Sequence, residues 1–143
     1  MDPADIRKGL QLEDPPTFVR WDITEQNLAA ALEGYKLRRV TDGYYTTPCR
    51  VLRDLAIMIG FHFAPRSAGR LAYFELFRTR YDDLQASFDE FQVHLEQSFG
   101  KPTIQERSAS GFPAYRWEFG DVAVFHYVFD RFGPEEHVEI RKR

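Results

Sequence analysis

Histidines and carboxylates gather near the end of the chain, and they are the residue types most able to do chemistry. The members of this group are His126, Asp130, Glu135, Glu136 and His137. Imidazoles titrate near neutral pH, and carboxylates that orient them favour proton transfer or metal binding. The spacing matches no metal-binding pattern, and His126 and His137 fall on different predicted strands. We interpret the group as a polar cluster on an edge strand, and keep a binding role for His126, Asp130, Glu136 and His137 as the alternative.

The other histidines and the single cysteine give weaker chemical signals. His62 falls on the face of a predicted strand that has small or mixed side chains, and His94 lies off the apolar stripe of a predicted helix. We interpret His62 as a core or helix-covered histidine and His94 as a surface residue. Cys49 follows Pro48 and has no sequence neighbour that would activate a thiol, so we do not expect it to be catalytic.

Aromatic and arginine side chains follow one another along one predicted strand and the segment after it. The set is Tyr73, Phe74, Phe77, Arg78, Arg80 and Tyr81. Proteins that bind single-stranded nucleic acid stack bases on aromatic residues of a sheet. A long helix predicted below also needs an apolar sheet face to cover. We therefore predict that these aromatics belong to the core, and keep Arg78 and Arg80 as candidate binding residues.

The sequence lacks the motifs that identify common catalytic and metal centres. It has no glycine-rich phosphate loop, no paired cysteines, no GxSxG turn and no HExxH helix. Ser108, Ser110 and His126 could be written as nucleophiles and a base, but chains of this length offer such sets by chance. We predict no cofactor, no metal and no catalytic residue, and favour a protein that is not an enzyme.

The composition is that of one globular domain with an unusual share of aromatic residues. The chain has 143 residues, 43% hydrophobic and 29% charged, including 13 Phe, 7 Tyr and 2 Trp. Buried aromatics remove roughly 150–250 Å² each from water, so they can dominate a core of this size. The single cysteine excludes an intrachain disulfide and favours the cytoplasm. We see no secretory leader and no apolar run long enough to span a bilayer, and expect no membrane association.

Charge is unevenly distributed along the chain. The net charge of −3 disfavours nucleic acid as the main partner, because phosphates attract basic surfaces. Residues 36–80 contain nine Lys and Arg against three Asp and Glu, whereas residues 81–139 contain four against twelve. The two blocks either neutralise one another as ion pairs or form a polarised surface that orients a protein partner.

Hydrophobic spacing predicts two helices. The first runs over about residues 24–33, with Thr24 as its cap and Gly34 after its end. The second begins after Asp82 and Asp83 and ends at Gly100. Its apolar residues fall on one stripe: Leu84, Phe88, Phe91, Leu95 and Phe99. Such a stripe must lie across a sheet face.

Alternating patterns and turn residues predict the strands. These are residues 36–41, 44–47, 55–63, 70–79, 115–119, 122–129 and 136–141. Asp42-Gly43 and Gly120-Asp121 mark tight turns, and residues 64–69 form a hairpin connection. We predict an α+β fold with a mainly antiparallel sheet of about six strands and two helices, in the order α-β-β-β-β-α-β-β-β. The long helix packs on one sheet face.

Two segments lack a sustained pattern. Residues 1–20 contain three prolines and predict a poorly ordered N-terminal arm that docks by Phe18 and Trp21, with a single domain over residues 21–143. Residues 101–113 are polar and predict a structureless loop, the kind of segment that often carries function.

The passage over residues 95–117 resembles small bacterial α+β proteins. In it a helix ends in Phe99-Gly100-Lys101-Pro102 and a strand with Trp117 follows. Some proteins of this kind are immunity proteins or secretion chaperones, so the resemblance implies partner binding. It carries over no functional residue. Type III secretion chaperones usually end in a further helix, whereas this chain is predicted to end in a strand.

Our leading functional hypothesis is a non-enzymatic protein-binding module of the bacterial cytoplasm, immunity-type or chaperone-like. It would bind through its sheet face, an edge strand or the 101–113 loop. The alternative is a small-molecule binder or small enzyme with a pocket between the second helix and the sheet, holding His126 or His62 beside a carboxylate. A homodimer through the last strand is also possible on sequence grounds.

Overall fold

A computed structural model describes residues 3–64 and 69–143. Within these residues the chain forms a 3-10 helix (Pro3–Arg7), two α-helices and ten strands. The helices are α1 (Glu25–Ala31) and α2 (Leu84–Phe99). The strands are β1 (Gly9–Glu13), β2 (Pro16–Arg20), β3 (Arg38–Thr41), β4 (Tyr44–Val51), β5 (Leu55–Ala64), β6 (Arg70–Phe77), β7 (Ile104–Arg107), β8 (Pro113–Phe119), β9 (Val122–Asp130) and β10 (Pro134–Lys142). The α+β class is confirmed, but about six strands was too few and the order was wrong, because β1, β2 and β7 were not predicted.

Eight strands form one antiparallel sheet, and the last strand of the chain lies near its middle. The order is β3-β4-β5-β6-β10-β9-β8-β7. After β6 the chain crosses through α2 to the far edge and returns inward, so that β10 fills the place between β6 and β9. The prediction that the last strand is an edge strand is therefore wrong. Residues 138–141 of this strand are paired on both sides, so they offer no free edge to a second copy.

Helix α2 lies on one face of this sheet, as its apolar stripe predicts. Asp83 caps its N-terminus by accepting a hydrogen bond from a backbone amide of the first turn, and Gly100 with φ 82° ends it. The stripe residues Phe88, Phe91, Leu95 and Phe99 are buried, and Leu84 is half-buried. Trp117 donates its indole N–H to the Gly100 carbonyl oxygen at 2.8 Å, which fixes the helix end against β8.

The N-terminal segment is part of the core, so the prediction of a poorly ordered arm is wrong for residues 3–20. Strands β1 and β2 pair as a two-stranded sheet in which Leu10, Leu12 and Val19 are fully buried. Trp21 is buried, as predicted, with its ring centroid 4.8 Å from that of Phe74. Leu10 and Leu12 alternate with polar residues, a strand pattern that the neighbouring prolines obscured.

The segment 101–113 is not a structureless loop. Residues 104–107 form β7, which pairs with β8 at the edge of the sheet. All four residues of β7 are exposed, so it carries no apolar alternation that sequence analysis could detect. Ser108 and Ser110 contact each other in the turn that follows, so they do not form a nucleophile set with His126.

The remaining elements agree with the sequence analysis apart from their ends. Thr24 caps α1 through the amide of Asn27, although the helix stops at Ala31, two residues earlier than predicted. The hairpins around Asp42-Gly43 and Gly120-Asp121 are confirmed. The predicted connection at 64–69 falls largely outside the described residues.

Alternation along the strands gives the large sheet two different faces. The face packed against α2 and the β1–β2 hairpin, which we call the covered face, carries the apolar side chains of β5: Leu55, Ile57, Ile59, Phe61 and Phe63. The opposite face, which we call the open face, carries half-buried aromatic and charged side chains. Among the described residues, no helix has the length and apolarity needed to cross a membrane.

Candidate functional site

The covered face contains a buried imidazole–carboxylate pair. His126 on β9 and Glu136 on β10 lie on the same face, and the His126 Nε2 atom is 2.6 Å from Glu136 Oε2. Neither side chain has any solvent exposure. The His126 ring stacks on Phe88 of α2 with 4.0 Å between ring centroids. Helix α2 therefore seals this pair into the protein interior.

Polar side chains of α2 and of the segment before it complete the network around this pair. Ser87 donates a hydrogen bond to Glu136 Oε1 at 2.6 Å and accepts one from Arg78 Nε at 2.7 Å. Arg78 also pairs with Glu90 and lies over the ring of Phe91. The network thus links the sheet to the first three turns of α2, and it satisfies both oxygens of the buried carboxylate.

The hydrogen-bond partners of His126 define where its protons are needed. Its Nδ1 atom lies 2.8 Å from the side-chain oxygen of Gln92, whose amide nitrogen donates to Glu96. The Gln92 oxygen can only accept a hydrogen bond, so the His126 Nδ1 atom carries a hydrogen. The contact between His126 Nε2 and Glu136 Oε2 is a hydrogen bond, so it contains one further proton. Burial lowers the pKa of His126, and its hydrogen bond to the Glu136 carboxylate opposes this effect.

The predicted histidine and carboxylate cluster is divided between the two faces. Of its members, His126 and Glu136 meet on the covered face, and His137 and Glu135 meet on the open face. His137 is the next residue after Glu136 and therefore points to the open face, where Glu135 lies 3.6 Å from it. Asp130 is exposed at the end of β9. The interpretation as an edge-strand cluster is wrong, because β10 is internal and its pair with β9 buries the imidazole.

A continuous row of stacked side chains crosses four strands of the open face. It consists of Tyr44, His62, Tyr73 and Arg141, each directly opposite the next in the register of β4, β5, β6 and β10. The ring centroids are 4.2 Å apart for the first pair and 4.0 Å for the second, and the Arg141 guanidinium carbon lies 3.9 Å from the Tyr73 centroid. We call these four residues the stacked row.

Two carboxylates hold the stacked row in position. Glu75 accepts hydrogen bonds from Tyr44 at 3.3 Å and from His62 at 3.2 Å. Glu139 accepts two hydrogen bonds from Arg141, at 3.1 and 3.2 Å. The hydrogen bond from His62 is the main reason why the pKa of Glu75 is lowered. Burial, together with the nearby Glu75, raises the pKa of Tyr44 to about 12.

The row fits the sheet because the position opposite Glu75 is a glycine. Gly60 lies two residues before His62 on β5, and a Cβ atom there would come within 2.9 Å of the Tyr44 ring and 3.2 Å of a Glu75 oxygen. This glycine is the one sequence signal for the site, since an isolated glycine inside a strand often marks a close approach. Without the strand register, nothing in the sequence links these residues.

Further aromatic side chains extend the open face beyond the stacked row. Tyr127 stacks on His137 with centroids 5.1 Å apart, and Arg116 lies over Phe125. Phe129 on the same face is half exposed, and Phe132 in the following turn is almost fully exposed. The prediction that the aromatics of residues 73–81 form core holds for Phe74 but is wrong for Tyr73 and Phe77, which point to the open face.

The two predicted binding arginines differ in their surroundings. Arg78 is tied to Ser87 and Glu90, as described above, whereas Arg80 is exposed and pairs with Asp82 at 3.0 Å. No group of three or more metal-ligating side chains occurs within residues 3–64 and 69–143.

Neither a known protein family nor a curated protein matches this sequence. Among solved structures, the chain is similar to the crystal structure of YjgB, a DUF4309 family protein from Bacillus subtilis. The identity is 13%, the match covers 84% of this chain and 78% of that chain, and the TM-score is 0.42. We transfer neither fold nor function from a likeness of this level.

The two polar sites differ in what they can do chemically. The buried pair cannot contact a substrate, because its groups are inaccessible and already bonded to protein partners. The stacked row is accessible and presents hydroxyl, imidazole and guanidinium edges. It is held rigidly by stacking and by the two carboxylates.

Proposed function

We propose that this chain is a non-enzymatic protein-binding module whose open sheet face contacts a partner protein. The stacked row is the observation that supports the proposal. Tyrosine, arginine and other large planar side chains dominate the energetics of protein interfaces, because they offer much contact area and lose little conformational entropy. Here such residues are already immobilised by their neighbours in the free protein, which lowers the entropic cost of binding.

The orientation of the rings in the stacked row favours a protein partner over a nucleic acid or a sugar. Ligands that stack, such as nucleobases, need an open aromatic face. In the stacked row, both faces of His62 and both faces of Tyr73 are covered by their neighbours. In these two central rings, only the edges and polar groups remain for a partner. The carboxylates Glu75 and Glu139 beside the row would also repel phosphates.

The alternative of an enzyme with a pocket between α2 and the sheet has less support. The imidazole and carboxylate that it requires do meet, at His126 and Glu136, but α2 closes over them. The accessible pair, His62 and Glu75, belongs to the opposite face. A bacterial, cytoplasmic, immunity-type or chaperone-like role remains part of the proposal, and rests on the sequence alone.

The proposal is tested by comparing variants of the two surfaces as baits. Tyr73→Ala combined with Arg141→Ala removes the centre of the stacked row, and Val93→Ala combined with Gln97→Ala changes the exposed side of α2 as a control. Proteins captured from native lysate by wild type and control, but not by the row variant, are then purified and titrated directly. We expect the row variant to weaken binding by at least about tenfold, because interface anchors of this type contribute 1.4 kcal/mol or more.

Two results would contradict the proposal. One is a purified partner that binds wild type and row variant equally. The other is tight binding of a single-stranded oligonucleotide that depends on Tyr73, since that would assign the same surface to nucleic acid. Circular dichroism of the row variant checks that lost binding does not reflect lost folding.

A further inference from the structure

A second accessible feature lies away from the stacked row and shares no residue with it. It is a cleft of about 700 Å³ beside β4 and β5. Its floor is formed by residues 47–50 of β4 and 56–58 of β5. Three segments form its walls: the turn 14–15 between β1 and β2, the turn 34–36 after α1, and residues 78–80 after β6.

The charge of this cleft is strongly one-sided. The basic residues that line it are Lys36, Arg50, Arg78 and Arg80, and among the described lining residues Asp14 is the one carboxylate. Part of the basic block at residues 36–80 noted in the sequence thus converges here, from three different segments. The cleft therefore has an excess of positive charge, whereas the chain as a whole has a net charge of −3.

Two of the three arginines of the cleft, Arg50 and Arg80, have carboxylate partners that a ligand can replace, whereas Arg78 is held by Ser87 and Glu90. Arg50 pairs with Asp54 and Arg80 with Asp82, and both aspartates are largely exposed to water. Ion pairs between exposed groups contribute little, because water screens them and long side chains lose freedom in forming them. A ligand anion seated between the walls would meet several donors at once. Arginine forks bind phosphate and carboxylate groups through paired hydrogen bonds.

The floor and rim indicate that the anion has a carbon framework. Ile57, Met58 and Pro48 supply apolar surface, and Tyr35 on the rim is half exposed. The volume lies within the roughly 300–1,000 Å³ that small-molecule sites occupy. We propose that this cleft binds a small organic anion that carries phosphate or carboxylate groups. This site is independent of the protein-binding face proposed above.

The test is a titration followed by backbone amide NMR, with phenyl phosphate and citrate as separate probes at constant ionic strength. We expect saturable shifts confined to residues 34–36, 47–50 and 78–80. A response to one probe alone assigns the site to phosphates or to carboxylates. Lys36→Ala combined with Arg80→Ala should weaken binding by about tenfold or more, because it removes two charged contacts.

The chain offers a closely matched control. Arg20 pairs with Asp22 two residues later at 3.1 Å, in the same exposed arrangement as Arg80 with Asp82, but lies outside the cleft. Lys8→Ala combined with Arg20→Ala removes the same two charges, so it should leave binding within about twofold of wild type. Equal losses in both variants would show only a general charge effect and overturn the proposal. Absence of saturation with both probes would also overturn the proposal. A hexaglutamate peptide serves as a third probe, and if it binds more tightly than both small anions and shifts residues beyond the cleft, the site is not one for small anions.

Discussion

The same sheet carries a histidine–glutamate pair on each of its faces, and the two pairs have opposite surroundings. His126 and Glu136 on the covered face are 2.6 Å apart and have no solvent exposure. His62 and Glu75 on the open face are 3.2 Å apart and retain about a quarter of their side-chain exposure, 22% and 25%. The residue types are identical, so the difference between them comes from burial and from the partners around them.

This comparison shows that residue type alone does not locate a functional site. The buried pair has the more complete hydrogen bonding, and it contains residue types that suggested chemistry in the sequence. Its partners are all protein groups, however, and it links α2 to the middle of the sheet. The open pair has weaker geometry but remains accessible, and it positions the stacked row. We infer that the first pair serves the fold and the second serves binding.

The largest expected effect distinguishes the two pairs by stability. His126→Ala leaves Glu136 buried without its main partner, so we expect a loss of about 3–5 kcal/mol in the free energy of unfolding. His62→Ala exposes Glu75 to water instead, and should cost only about 0.5–1.5 kcal/mol. Urea unfolding followed by fluorescence of Trp21 and Trp117, both buried, measures the two losses.

A double replacement sharpens this result. His126→Leu combined with Glu136→Leu removes both polar groups, and should recover most of the stability lost in His126→Ala, because no unpaired charge is left in the interior. If His126→Ala and His62→Ala lower the free energy of unfolding equally, the buried pair has no larger structural role than the open pair, which would contradict our assignment.

The sequence predicts the covered face far better than the open face. The α2 stripe and the alternation of β5 follow directly from periodicity, because burial against a single partner leaves a regular apolar pattern. Strand β7 has no buried residue and so leaves no pattern, while prolines masked β1 and β2. The stacked row joins residues as far apart as Tyr44 and Arg141 through register, which depends on β10 entering the middle of the sheet. That placement is a property of the whole topology and has no local signal.

An intermediate effect is expected at the glycine that makes room for the stacked row. Gly60→Ala would bring a Cβ atom within 2.9 Å of the Tyr44 ring, so the ring must shift. Overpacking of this kind typically costs about 1–3 kcal/mol. Adding Tyr44→Ala to Gly60→Ala should cost less than the sum of the two single changes, since it removes the group that clashes. Strict additivity in urea unfolding would show that Gly60 does not support the row.

The smallest expected effect concerns the pH dependence of the open pair. The pKa of Glu75 is lowered from its ordinary value of 4.5, chiefly by the hydrogen bond from His62, so folding favours its ionised form. Its contribution to stability is therefore complete above pH 4.5 and is lost as pH falls through the lowered pKa. We expect Glu75→Gln to reduce the free energy of unfolding by about 1 kcal/mol at pH 7 and by progressively less below pH 4.5. In a His62→Ala background the same change should lose most of this pH dependence, because the chief cause of the shift is absent. If the two backgrounds give the same profile in urea unfolding between pH 7 and pH 3, the open pair does not act as a unit.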